Sequence, residues 1–184
     1  KDGINWENLL GLCVAVKDSG EVKSFERGKR DRDSFEGWLA GWDAVHLAIT
    51  DVIQEILNER GETALVDFQK YRTYIFEVIK YLLNHPDPEA SEEEIETAKS
   101  KTKSPGNSDY SITDPYSMAI NRVRGRAFQA LVMFLFLDSK QFPKEAEVKI
   151  LPDVKELYAT VLKNENTRAI MFMFGRYLSS FYFR

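Results

Sequence analysis

The chain has 184 residues, 43% of them hydrophobic, with a formal net charge of −4 and an isoelectric point near 5.4. That is enough apolar material for one domain with a sizeable core, and it excludes a disordered chain. The acidic balance argues against bulk attraction to nucleic acid or anionic lipid. One cysteine, Cys13, rules out an intrachain disulfide, in keeping with a reducing cytoplasm, and no signal peptide is visible.

From the N-terminus, Trp6, Leu9, Leu10, Cys13 and Val16 recur at helical spacing and predict a short helix over 5–16. Lys17 to Gly37 carries six basic and six acidic residues and reads as a solvated connection. Trp38, Trp42, Val45, Ile49, Val52 and Ile56 step by four and three, which places them on one stripe of a helix over 38–57. Gly61 suits its C-terminal cap. A second long helix is expected from Glu62 or Thr63, with Phe68, Tyr71, Ile75, Val78 and Leu82 facing inward; His85-Pro86 closes it. Two long helices joined by a short Gly-containing turn predict an antiparallel hairpin.

Residues 86–113 read as an acidic and polar linker between two helical halves; Asp87 to Glu96 holds six acidic residues and no basic one. Asp114 and Pro115 then suit the N-cap and first position of a helix running to about Leu137, with Ala119, Val123, Ala127, Ala130, Phe134 and Leu137 inward. Its apolar run, Ala127 to Leu137, is interrupted only by Gln129 and is too short for a bilayer, which needs about 20 residues. Lys140 to Leu151 is expected as a loop, extended near 146–150. Pro152 opens a helix carrying Val154, Leu157, Tyr158 and Val161. After a turn at 164–166, a terminal helix presents Ile170, Phe174, Tyr177, Leu178 and Phe181. The sum is an all-α chain of about six helices in stacked antiparallel hairpins, either a bundle or an α-solenoid (HEAT-like) fragment, treated as a single domain over 1–184.

Arg122, Arg124 and Arg126 form the densest basic cluster on a well-supported helix and are the candidate contacts for a phosphate or a protein partner. Arg124 falls near Leu131 and Leu135, so its guanidinium needs a carboxylate or carbonyl partner; Gly125 between them marks close packing. The loop Arg27 to Arg32 is basic, but Glu26, Asp31 and Asp33 weaken its field. His46 and His85 read as structural, and Cys13 as inert core. No zinc spacing, phosphate-binding glycine loop or nucleophile motif appears, so no catalytic, cofactor or metal residue is assigned and an enzyme is not expected.

The run Asp114-Pro115-Tyr116-Ser117-Met118-Ala119-Ile120-Asn121-Arg122-Val123-Arg124-Gly125-Arg126-Ala127 resembles a segment of large bacterial proteins of uncertain function. Some of these look like anti-phage defence proteins with a sirtuin-like or NTPase region followed by a long helical part. His85-Pro86-Asp87-Pro88 upstream and Phe174-Gly175-Arg176-Tyr177 downstream look like flanking parts of the same arrangement. The resemblance covers the second half of the chain, carries no catalytic residue, and implies a helical scaffold or sensor region. With the apolar, uncapped ending at Phe181-Tyr182-Phe183-Arg184, it leads to the expectation of a piece of a larger protein, a non-catalytic scaffold or interaction domain that packs on the parent's adjacent domains or on a protein partner. The alternative is a nucleic-acid-binding helical module using Arg122, Arg126 and the 27–32 loop, which the net negative charge disfavours.

Overall fold

The computed structural model describes residues 3–19, 42–58, 64–86, 115–143, 146 and 150–182, with side chains through Leu178. Among them the regular structure is all helical: α1 (Trp6–Ser19), α2 (Trp42–Ile56), α3 (Phe68–Leu83), α4 (Pro115–Ile120), α5 (Val123–Asp138), α6 (Pro152–Asn164) and α7 (Arg168–Tyr182), with a 3₁₀ turn at Ser139–Gln141. No described helix is long and apolar enough to cross a membrane. The expectations at Trp38, Gly61, Asp114 and the 27–32 loop, nearly all of the 86–113 linker, and residues 147–149 of the expected extended stretch lie outside the described residues, as does the side chain of Phe181.

The packing is organised around α5. Its sequence is apolar on nearly every side, and such a helix is stable only when surrounded. Val123, Ala127, Phe128, Ala130, Leu131 and Phe134 are fully buried, and α2, α3, α4 and α7 all pack on it. Cross-helix contacts give the directions. His46 near the start of α2 meets Tyr81 and His85 at the end of α3, so these two run antiparallel, as the hairpin pattern predicts. Arg72 and Phe76 of α3 meet Asp138 and Phe134 of α5, another antiparallel pair. α6 begins beside Arg72 and ends beside Arg124, so it returns along α5 in the opposite sense. α1 rests on α2 and α3.

Four expectations are corrected. The α2 stripe is turned by about one residue: His46, Ile49, Thr50, Ile53 and Ile56 are buried, while Val45 is exposed and Val52 only half-buried. The cause is that α2 packs against α1, α3 and α5 at once, and the polar residues on the buried arc find internal partners, Thr50 Oγ1 donating to the Leu47 carbonyl. α3 starts at Phe68 rather than at Glu62 or Thr63, because Asp67 takes the N-cap and accepts from Lys70 N–H, a cap worth about 1 kcal/mol. On α7 the buried set is Ala169, Ile170, Met173 and Phe174, with Leu178 exposed.

The fourth concerns the single helix expected to run from Pro115 to Leu137, which breaks at Asn121-Arg122 into α4 and α5. The break is a corner closed by the quoted motif itself. The carbonyls left over at the end of α4 are taken by nearby donors: Ser117 O by Asn121 Nδ2 at 2.8 Å, Ala119 O by Arg122 N–H, and Ile120 O by Arg126 Nε at 2.8 Å. Gly125 sits directly against the Ala119 carbonyl, where any Cβ would collide with backbone that cannot yield. Gly11 and Gly175, by contrast, have open space where a Cβ would point. Gly125→Ala is therefore expected to lower the urea midpoint by the equivalent of about 3 kcal/mol, the upper range of over-packing. Gly175→Ala, measured in dilute solution, is expected to raise it by about 0.5–1 kcal/mol, the helix-propensity gain.

Candidate functional site

Between α3 and α6 lies an open groove of about 640 Å³. Its floor is apolar, formed by Phe76 and Leu83 from α3 and Leu157 and Val161 from α6; Glu77, Lys80, Glu156 and Thr160 stand along its sides. α6 meets the rest of the molecule through Val154, Leu157 and Tyr158, and through an arginine at each end of the groove.

At one end, Arg72 donates to two carboxylates at once. Nε and Nη2 reach Asp138 at 2.7 and 3.0 Å, and Nη1 and Nη2 reach Asp153 at 3.0 and 3.2 Å. Such fork geometry is specific to guanidinium. The Asp138 side chain is 2% exposed, so its charge depends on this partner, helped by Gln141 Nε2. Asp153 lies in the first turn of α6, where a carboxylate is favoured by the helix dipole. The Arg72 hydrogen bonds hold its pKa below the usual carboxylate range despite partial burial, and the two carboxylates raise that of Arg72 further.

At the other end, Arg124 Nη2 donates to Glu165 Oε2. Glu165 is nearly fully buried, and its other oxygen accepts from Asn166 N–H, Thr167 N–H and the Thr167 hydroxyl at 2.6–3.0 Å, closing the turn into α7. Burial pushes this carboxyl up, but the Thr167 and Arg124 donors outweigh it and the net pKa is lowered.

Each expected contact residue can now be placed. Arg124 finds in the Glu165 carboxylate the carboxylate or carbonyl partner that its position requires. Arg126 donates to Asp51 of α2 and to the Ile120 carbonyl, while its own carbonyl accepts from Gln54 Nε2 at 2.9 Å. Arg122 is half-buried at the N-cap of α5. The three do not converge on one site: Arg124 faces α6 and Arg126 faces α2. Cys13 is buried, which pushes its thiol up to about 11 and keeps it protonated at neutral pH. Among the described residues no group of three His, Cys, Asp or Glu is placed to hold a metal ion.

The sequence reading did not bring the two histidines together. His46 and His85 have ring centroids 4.8 Å apart at the open end of the α2–α3 hairpin. His46 is fully buried; its Nε2 shares a 2.9 Å hydrogen bond with the Tyr81 hydroxyl, and its Nδ1 makes none of normal geometry. Burial holds its pKa below the usual histidine value, and the Asp43 carboxylate and Trp42 carbonyl pull the other way without offsetting this. His85 Nε2 stands 3.7 Å from Asp43. The sequence spacing of thirty-nine residues hides the pair, which only the antiparallel register creates. Arg72 left a clearer signal: a charge four residues after Phe68, on the apolar stripe of its helix, calls for a buried partner.

The fold and these sites define an all-α protein built by helix-on-helix packing, with its buried charges tied in structural pairs. No protein-family model, curated protein or solved structure matches the chain.

Arg72→Met leaves Asp138 buried without its cation and is expected to cost about 3–5 kcal/mol in urea unfolding, while Arg72→Met with Asp138→Leu recovers most of the loss. Stability is also expected to fall with acid in two stages. The His46 ring has a depressed folded pKa, so the unfolded chain takes up its proton first, and stability drops as pH falls below about 6.5. Asp153 and Glu165 contribute fully above the ordinary carboxylate range, and their contribution is lost below about pH 4. His46→Gln, which keeps a partner for Tyr81 but does not titrate, is expected to remove the first stage and leave the second in urea titrations across pH.

Proposed function

We propose that this chain is a non-catalytic helical scaffold or protein-interaction domain of a larger bacterial protein, the kind of region that the resemblance over 114–127 implies. The observation that carries this reading is the outer face of α7. Met171 (46% exposed), Phe172 (39%) and Leu178 (60%) border an exposed Gly175, three apolar side chains that stay largely outside the core although the Phe172 ring lies near Tyr116. Scattered exposed apolar residues are ordinary, whereas a contiguous set marks a contact surface. The charged groups support the same reading, since Arg72, Arg124, Arg126, Asp138 and Glu165 hold helices together and Cys13 is a protonated core thiol.

A photo-crosslinking amino acid at position 178, in cells that naturally make the protein, is expected to yield protein adducts. The same group at exposed Lys155 of α6 serves as the control. Absence of any adduct above the control overturns the reading.

A further inference from the structure

We infer that the α7 face docks on the outer face of α1 of a second copy of this chain, so that copies associate head to tail. The inference rests on the interaction-domain reading and names its partner.

The two faces are alike in build and opposite in charge. On α1, Gly11, Ala15 and Leu12 are all exposed, Leu12 at 60%, and a Cβ on Gly11 would meet open space. On α7, Gly175 sits likewise, with Met171 and Leu178 on one side and Phe172 on the other. Each stripe therefore offers a hollow at its glycine and apolar knobs beside it, the features that let two helices approach closely. Each glycine also lowers helix propensity by about 1 kcal/mol, and among the described residues nothing lies within 4 Å of a Cβ at either, whereas Gly125 lies against Ala119.

Charge selects the pairing. α1 carries the exposed carboxylates Glu7 and Asp18, with half-buried Lys17 its one basic residue; α7 carries Arg176 on its exposed side and no acidic residue. Glu7 and Asp18 pair with Lys70 and Lys17 at the surface, contacts weak enough to rearrange. The Arg176 guanidinium lies 4.4 Å from the Tyr116 ring centroid, with its side chain exposed. An α7–α7 contact would set cation on cation, and an α1–α1 contact carboxylate on carboxylate. Only α1 against α7 brings opposite signs together. α1 rests on α2 and α3, while α7 rests on α4 and α5, so the faces lie on different edges of the packing and one copy can use both. A heterologous contact of this kind propagates rather than closing at a dimer. One helix on one helix is small for an interface, so association is expected in the micromolar range or weaker.

Sedimentation equilibrium of the full chain across about 10–500 µM tests this, a range matched to that weak expected affinity. The average mass is expected to rise with concentration past the dimer and to fall back at high salt. Arg176→Glu, and separately Glu7→Lys with Asp18→Lys, are each expected to remain monomeric, and an equimolar mixture of the two variants is expected to associate again, because each then offers what the other lacks. Met171→Glu is expected to abolish association without touching Arg176, with unchanged urea midpoints showing that the folds are intact. A monomer throughout the range, or association indifferent to Arg176→Glu and Met171→Glu, overturns the inference. So does a position-178 adduct in which the cross-linked partner is not a second copy of the same protein, an outcome that leaves the interaction-domain reading standing.

Discussion

The arrangement of α3, α5 and α6 depends on one guanidinium. Asp138 is the last residue of α5, where the negative end of the helix dipole and almost complete burial both oppose a carboxylate. It is tolerated because Arg72 grips it with two hydrogen bonds and is itself held by Asp153. Asp153 is in the opposite situation, at the start of α6, where the dipole favours it. One cation thus couples the unfavourable end of one helix to the favourable end of another. A well-packed apolar cluster would be at least as stable. What the ion triad adds is register: the planar fork fits only one relative placement of three helices.

The second constraint is steric. α5 can be enclosed on several sides because α4 turns sharply before it, and that turn works only if the backbone of α4 can lie against α5. Gly125 provides the approach, and Asn121 and Arg126 satisfy the carbonyls it strands. Arg126 then links the corner to Asp51 and so to α2. A cluster that looks in sequence like a basic patch is largely the fastening of a helix corner.

Much of this was legible in the sequence. The all-α class follows from helical periodicity, and the enclosed α5 from an apolar run with no polar face. Gly125 between arginines signalled close packing, and the requirement of Arg124 for a carboxylate or carbonyl partner followed from its angular position. Other features needed tertiary information. The α2 stripe was misplaced because periodicity weighs only apolar residues, while this helix buries His46 and Thr50 with their own hydrogen bonds. The break at Asn121 was invisible because neither Asn nor Arg forbids a helix; it arises from the contact between Gly125 and Ala119. Glu165, in a short polar turn, gave no sign that it would be buried with four donors around it.

The distribution of glycine and charge separates what serves the fold from what does not. At Gly125 the conformational cost is offset by a contact within the chain. At Gly11 and Gly175 there is no such contact among the described residues, yet both lie in the middle of helices beside exposed apolar side chains. Arg72, Arg124 and Arg126 pair with carboxylates of other helices or turns and so fasten the fold, whereas Glu7 and Asp18 on α1 and Arg176 on α7 make only surface contacts, with Lys70, Lys17 and the Tyr116 ring. Features with no packing role among the described residues are the ones a contact between chains would explain, and they fall on α1 and α7.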